Sequence, residues 1–269
     1  MSTIGFLGSG NMAEALIKGI ITAGLYKPEN IFISDVRAER LEFLTEEYGV
    51  TAAATNSELA GKVNILVLSV KPQNMVEALE SIKDAVRAET LIISIAAGIK
   101  VSNISAVLGD RPIVRVMPNT PALIGEGASA LFANEKAKPT LSKAEKIFSS
   151  VGRAVMVNDE SLIDAVTAVS GSGPAYYFLL TEEMIRAAGE LGLPEDVAKE
   201  LILQTARGAA LLAVERDKRG ETPAELRRKV TSPGGTTEAA LKVFAAKDFS
   251  WLVNEALTAA RDRSRQLSG

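Results

Sequence analysis

The chain of 269 residues is long enough for one large or two ordinary domains, and 47% apolar residues allow a sizeable core. A formal charge of −3 with no basic block argues against nucleic acid as the main partner, and no apolar run approaches the roughly 18 residues of a membrane span. The chain has no Cys, which removes disulfides, zinc–thiolate sites and thiol nucleophiles and fits a cytoplasmic protein; it has no His, which removes the commonest acid–base group near neutral pH and the Ser-His-Asp and Cys-His systems.

The N-terminus runs straight into a strand-like segment with no basic stretch, so no signal peptide is expected. Thr3–Leu7 is a short apolar run, and Asn11–Ala23 follows with Met12, Ala15, Leu16, Gly19 and Ile20 at helical spacing. Between them Gly8-Ser9-Gly10-Asn11-Met12-Ala13 is a G-x-G-x-x-A turn that follows a strand and opens a helix, the context in which this motif binds a dinucleotide. Gly8 permits the tight turn, Gly10 lets backbone N–H groups approach a pyrophosphate, and Ala13 allows close helix–strand packing. Phe6 and Leu7 lead into that turn and belong to the same expected cofactor-binding stretch.

Ile31–Ser34 reads as a second strand and Arg37–Tyr48 as a charged amphipathic helix. Ser34 and Asp35 close the strand where an acid would bind the adenosine ribose hydroxyls. Asp35 disfavours a 2′-phosphate and Arg37 attracts one, so NADPH and NADH both stay open. Asn64–Val70 and Thr90–Ile95 are continuous apolar runs rich in β-branched residues, as in strands buried on both faces of a parallel sheet. A helix is expected over Pro72–Val86 between them. Small residues at the ligand-facing ends of these strands, Ser69-Val70-Lys71-Pro72 and Ala96-Ala97-Gly98, would let a nucleotide lie against the backbone; plain turn chemistry explains each segment equally well. Pro112–Met117, Ala128–Phe132 and Ala154–Val157 complete the strands. The alternation implies an α/β Rossmann domain with a doubly wound, mostly parallel sheet.

After about Asn158 the strand signals stop. Leu162–Val169, Ala175–Leu191, Glu195–Glu215, Pro223–Val230, Thr236–Ala246 and Phe249–Arg265 all read as helices. The expected division is a dinucleotide-binding domain over 1–158 and an all-α domain over 159–269. Leu201–Val214 is apolar around nearly its whole circumference, so it lies in a subunit interface or at the centre of a bundle. The stretch Ser232-Pro-Gly-Gly-Thr-Thr-Glu-Ala-Ala-Leu241 sets a glycine pair and two threonines at the mouth of a helix. A capped turn explains it, and so does a socket for a small anion.

Five segments, "GFLGSGNMA", "VKPQ", "RVMPNTPALIGEG" (115–127), "VSGSGPAYYF" (169–178) and "ELRRKVTSPGGTTEAAL" (225–241), together resemble the pyrroline-5-carboxylate reductase family, over nearly the whole chain and in the same order. The resemblance implies reduction of L-1-pyrroline-5-carboxylate to L-proline by NADPH or NADH, the last step of proline biosynthesis. It implies a helical domain that interlocks with a partner's in dimers, which often assemble into decamers. It puts Ser232, Gly234, Gly235, Thr236 and Thr237 on the turn that binds the substrate carboxylate, Asn56 on a ribose-contacting position and Glu160 loosely near the active site. An iminium carbon is already electrophilic and its nitrogen can carry its own proton, so this chemistry needs no histidine. Thr237 is then the candidate hydrogen-bond partner of the ring nitrogen. No metal site is expected. Arg115 either pairs with the substrate carboxylate or is structural, and Tyr176 and Tyr177 read as packing residues rather than acids. A β-hydroxyacid or other imine reductase of the same plan is the runner-up. A hydroxyacid enzyme would want a lysine acid from an early helix of the second domain, and Leu162–Leu191 contains none. A dinucleotide-sensing regulator without turnover would not need the Gly-Gly-Thr-Thr turn.

Overall fold

A computed structural model describes residues 2–268; Met1 and Gly269, the outer ends of the two expected domains, lie outside the described residues. Contacts divide the chain into two compact units, Met1–Pro174 with Thr258–Gly269, and Ala175–Leu257.

The first unit is built on an eight-stranded sheet in the order β3-β2-β1-β4-β5-β6-β7-β8. The strands are β1 (Ile4–Leu7), β2 (Ile31–Ser34), β3 (Thr51–Ala52), β4 (Ile65–Leu68), β5 (Leu91–Ser94), β6 (Ile113–Met117), β7 (Gly127–Ala133) and β8 (Gly152–Met156). Helices α1 (Asn11–Thr22), α2 (Ala38–Tyr48), α3 (Asn56–Lys62), α4 (Met75–Glu80), α5 (Val101–Leu108) and α6 (Leu141–Ser149) connect them. Successive strand residues face opposite sides, and both sides are covered. Ile4, Phe6, Ile31, Ile33, Ile65 and Val67 pack into one core with Leu16, Ile17 and Ile20 of α1. Leu7, Leu66, Leu68 and Ile92 pack into the other with Leu59, Leu79 and Ile104. Each such buried side chain contributes about 1.5–3 kcal/mol.

All strand pairs are parallel except β6–β7, which is antiparallel. A parallel return needs a crossover of a dozen or more residues. Only residues 118–126 separate β6 from β7, and they hold a single 3-10 turn, Thr120–Ile124. The expected helix over Pro72–Val86 is shorter: a 3-10 turn spans Pro72–Asn74, and α4 ends at Glu80, where the Ser81 hydroxyl donates to the Ala78 carbonyl at 2.7 Å. The expected helix over Leu162–Val169 also divides. Helix α7 (Leu162–Val166) gives way to a π-helical turn, Thr167–Gly171, in which the Ser172 N–H reaches the Thr167 carbonyl at 2.8 Å.

The second unit carries most of α8 (Gly173–Glu190), then α9 (Glu195–Asp217), α10 (Pro223–Lys229), α11 (Thr236–Ala246) and the first half of α12 (Phe249–Leu267). Among its described residues the only buried apolar side chains are Ala188 and Ala198. Leu191, Leu201, Leu211, Val214 and Tyr177 are exposed, and Trp251 is 59% exposed. The single chain therefore supplies no interior for the Leu201–Val214 stretch of α9, and exposed apolar surface on this scale marks an association surface. We expect a mass of at least twice the monomer's in solution at micromolar concentration, and a lower mass together with a lower melting temperature for Leu211→Glu. A fully active monomer would contradict this.

Candidate active site

The sheet register lines up the carboxyl ends of four strands. Leu7 pairs with Ser34 on one side and Leu68 on the other, and Leu68 pairs with Ser94. From β1 the strand order runs to β2 on one side and β4 on the other, and the crevice at such a switch point is where open α/β sheets hold ligands. Gly8 leaves β1 with φ +93°, and a Cβ there would lie 2.8 Å from the Ser69 carbonyl carbon and the Val70 nitrogen. Only glycine permits both this dihedral and this approach. The Gly8 N–H donates to the Ser34 carbonyl at 2.8 Å, and the Ser69 hydroxyl donates to the Gly8 carbonyl at 2.6 Å. Gly10 is the N-cap of α1, and a Cβ there would meet nothing within 4 Å. A glycine turn pinned to three strand ends, with open space at the helix mouth, fits a pyrophosphate.

Asp35 and Arg37 are paired with each other. The Asp35 carboxylate accepts from Arg37 Nε at 3.0 Å and Nη2 at 3.2 Å, from the Arg37 N–H at 3.0 Å and from the Ser9 N–H at 2.7 Å. Partial burial pushes its pKa up, but the Arg37 guanidinium and the two backbone N–H donors outweigh burial and hold it below the usual carboxylate value. Between them Val36, which sequence reasoning passed over, is 99% exposed and offers an apolar face beside the acid. Asn56 opens α3; its amide oxygen accepts from the Ser34 hydroxyl, and its Nδ2 donates to Ser81 Oγ at 3.0 Å. Lys71 is exposed and precedes the turn that Pro72 begins. Ala96 is buried. Gly98, at φ +74°, faces the end of α12, with the Leu267 carbonyl oxygen 3.0 Å from where its Cβ would stand.

Arg115 is buried at 2% exposure and its Nη1 donates to Glu160 Oε1 at 3.0 Å. The same oxygen accepts the Val101 N–H at 2.8 Å, at the first residue of α5. Glu160 thus neutralises a buried guanidinium and satisfies a helix start, which gives Arg115 its structural role. Asn119 joins two further segments of this unit: Nδ2 donates to the Ser170 carbonyl in the π-helical turn at 3.0 Å, and Oδ1 accepts the Ala128 N–H at 2.8 Å.

The turn at Ser232 lies in the second unit. Gly235 is the N-cap of α11, and no side chain caps it. Thr236 is already the first helical residue and so is not the cap: a cap residue is extended, and the extended position, φ −82° and ψ 172°, belongs to Gly235. The turn is closed from elsewhere. Gly234 has φ +73°, its N–H donates to Glu238 Oε2 at 2.9 Å, and the Gly235 N–H donates to the Ser232 carbonyl at 3.0 Å. A Cβ on Gly235 would stand 2.5 Å from Ser232 Oγ. Neither threonine hydroxyl is needed to hold this turn.

Among the described residues no cluster of acidic side chains can hold a metal ion, and no helix is long and apolar enough to cross a membrane. Residues 160–267 match the family model described as pyrroline-5-carboxylate reductase dimerisation, and residues 3–98 match one described as NADP oxidoreductase, coenzyme F420-dependent. The chain is 47% identical to a pyrroline-5-carboxylate reductase of Pseudomonas aeruginosa, covering 100% of this chain and 98% of that protein. It is similar to the structure of a pyrroline-5-carboxylate reductase from Coxiella burnetii, with TM-score 0.93, 40% identity and coverage of 100% of this chain and 99% of the other. It is also similar to that of a Plasmodium falciparum pyrroline carboxylate reductase with NADP bound, with TM-score 0.87, 32% identity and coverage of 100% and 98%.

The tie between Asp35 and the glycine turn titrates. Because its folded pKa is lowered, the tie contributes in full above the unfolded value of about 4 and is lost as pH falls through the lowered value. Asp35→Asn should therefore show a flatter decline of melting temperature than the parent below about pH 4. Parallel curves for the two proteins would remove Asp35 from this role.

Proposed function

The chain belongs to the pyrroline-5-carboxylate reductase family, and from that premise we propose how its residues share the reduction of L-1-pyrroline-5-carboxylate to L-proline. When bound, NADPH or NADH supplies the hydride. Gly8, Ser9 and Gly10 would hold its pyrophosphate, with Asn11 and Met12 at the start of α1 adding backbone N–H groups. Asp35, Val36 and Arg37 would meet the adenosine ribose, and Ser69 to Pro72 and Ala96 to Gly98 would border the rest. Binding of NADP by the Plasmodium relative supports the phosphorylated cofactor. The two functions divide over 1–158 for the dinucleotide and 159–269 for substrate and dimerisation. The dimerisation match over 160–267 supports that division, although contacts group residues 159–174 and 258–269 with the first unit.

The observation that carries the substrate reading is the start of α11, where the Gly234 and Gly235 N–H groups close the turn and the next N–H groups, those of Thr236 and Thr237, are left without a side-chain cap. Its cap residue is a glycine, and both threonine hydroxyls are free of capping duty. Backbone N–H groups at such a helix start suit a carboxylate. The carboxylate would sit against Ser232, Gly234, Gly235 and Thr236, with the Thr237 hydroxyl donating to the ring nitrogen. Glu160 would act from further away, through the Arg115 pair that anchors α5. With no imidazole in the chain, the protein's task is alignment, which is worth roughly 7–11 kcal/mol of barrier. Dimers built through the helical unit, their further assembly into decamers and a cytoplasmic location complete the proposal. The uncovered apolar faces of α8, α9 and α12 support the first, and the absence of Cys agrees with the last.

Steady-state kinetics test this division. Thr237→Val keeps the branched shape and removes the hydroxyl, so kcat/KM should fall roughly threefold to a hundredfold, with melting temperature and cofactor affinity nearly unchanged. Gly235→Val should do more damage, because its side chain meets Ser232. A Thr237→Val enzyme of normal activity would return the turn to a structural role. Asp35→Ala frees Arg37 and should raise the ratio of kcat/KM for NADPH over NADH, and Arg37→Ala should lower it. An unmoved ratio in both would place these side chains away from the ribose.

A further inference from the structure

Arg40, in the first turn of α2, has no place in the cofactor contacts named above. Its side chain is 17% exposed and does two things at once. Nε donates to the Ser9 carbonyl oxygen at 2.7 Å, and Nη2 pairs with the Glu14 carboxylate. Glu14 lies in the first turn of α1, where its other oxygen accepts from the Tyr48 hydroxyl at 3.1 Å. The Phe43 ring lies beside the guanidinium, 5.2 Å from its centroid.

These contacts bear on the direction of one peptide. Ser9 is fully buried. Its N–H is held by Asp35 at 2.7 Å and its hydroxyl donates to the Ser34 carbonyl at 3.3 Å. Arg40 holds the remaining group, the carbonyl. A peptide is planar and trans, so the carbonyl oxygen and the following N–H point in opposite directions. Fixing the Ser9 oxygen on Arg40 therefore turns the Gly10 N–H the other way, at the mouth of α1, where the space around Gly10 is open. The fixed fork of a guanidinium suits this double duty, because two N–H groups at a set spacing serve the Ser9 oxygen and Glu14 together.

We propose that Arg40 is a positioning residue for dinucleotide binding: it aims the phosphate-binding turn by holding the Ser9 carbonyl, and does not itself read the cofactor. The proposal rests on the reading of Gly8–Gly10 as the pyrophosphate site. It separates Arg40 from Arg37, whose side chain is 52% exposed beside Asp35 and available to a 2′-phosphate.

The test is calorimetric affinity for NADPH, NADH and ADP-ribose, which share the pyrophosphate and differ in the nicotinamide and the 2′-phosphate. The proteins are the parent, Arg40→Met, Arg40→Lys and Glu14→Gln, with melting temperatures and kinetics alongside. Parent enzyme that binds none of the three would overturn the pyrophosphate reading itself, before any variant is compared. Given parent binding, Arg40→Met should weaken all three ligands by one common factor, about tenfold. Arg40→Lys should lie between it and the parent, since an ammonium serves the Ser9 oxygen or Glu14 but not both well. Glu14→Gln, which keeps the Arg40–Ser9 contact and loosens the far end, should cost about two- to threefold for all three. The kinetic loss should fall on the KM of the cofactor, with kcat at saturation and the KM of pyrroline-5-carboxylate within about twofold. If Arg40→Met does not fold, the other two variants carry the same comparison. Weakening of NADPH alone would make Arg40 a 2′-phosphate ligand and overturn the proposal. So would unchanged affinity for all three, or a fall in kcat without a change in affinity.

Discussion

The close approach of Gly8 to the end of β4 is the constraint on which the first unit turns. With φ +93° and the Ser69 and Val70 backbone 2.8 Å from where a Cβ would be, the chain leaves β1 in a way open only to glycine. That exit lets β1 sit between β2 and β4, and it brings Ser9 under Asp35 and the Gly8 carbonyl against Ser69. The tight exit from β1 and its contacts with Ser34 and Ser69 require a residue without a Cβ at this position. A larger residue there would have to push two backbones apart, and the register Leu7–Leu68 allows no such movement without loss of the sheet pair.

The chemistry available to this chain is mostly that of its backbone. Without His or Cys, the groups left to bind an anionic cofactor and an anionic substrate are N–H groups at helix starts, hydroxyls and the Lys and Arg side chains. Both glycine turns reflect that. At α1 and at α11 the cap residue is a glycine, Gly10 and Gly235, rather than a Ser, Thr, Asp or Asn that would occupy the helix mouth with its own oxygen. A glycine cap leaves the first helical N–H groups without a side-chain acceptor, and on the proposed reading a ligand would take that place. Carboxylates at these turns work on the scaffold, Asp35 on the Ser9 N–H and Glu238 on the Gly234 N–H, and Glu160 does the same elsewhere, on Arg115 and α5. Reduction of an iminium suits such a site, because the reacting nitrogen can bring its own proton.

Much of this was legible in the sequence, and the exceptions have physical reasons. Long β-branched runs located β4 and β5 to within two residues, because buried strands carry strong local signals, and Thr236–Ala246 was read to the residue because the Pro-Gly-Gly turn before it marks its start. Three short helices and one strand were passed over. The start of α3 does carry a signature: Thr55 Oγ1 accepts the Glu58 N–H, and Glu58 reaches back to the Ala54 N–H, the reciprocal pattern of a capping box shifted by one residue. Helix α6 shows itself only through Ala144, Ile147 and Phe148, too short a series to stand out. The antiparallel β7 followed from the length of its connection, which could have been counted. Other facts had no local signal at all. Nothing in the sequence says that Arg37 would chelate Asp35 or that Arg40 would reach back across 31 residues to Ser9. Pairings of that kind are set by the fold, and the spacing of residues along the chain does not encode them.

The second unit completes the argument, because its function cannot be separated from association. Helices α8, α9, α11 and α12 turn leucines, valines, phenylalanines and a tryptophan to solvent, and the two buried apolar residues among 175–257 are alanines. Burial of apolar area is the main favourable term in folding, and this unit has little of its own to offset the entropy of ordering five helices. Its stability must then come from a second surface, and so depends on protein concentration as any obligate association does. The turn at Ser232–Thr237 is carried by this same set of helices. Its hydrogen bonds are local, from Gly234 to Glu238 and from Gly235 to Ser232, so it can form as soon as α11 forms, but α11 has no buried residue to hold it in place. The Ser232–Thr237 turn lies within the 160–267 stretch that matches the dimerisation model, so on the proposed reading the substrate turn would rest on elements that association stabilises.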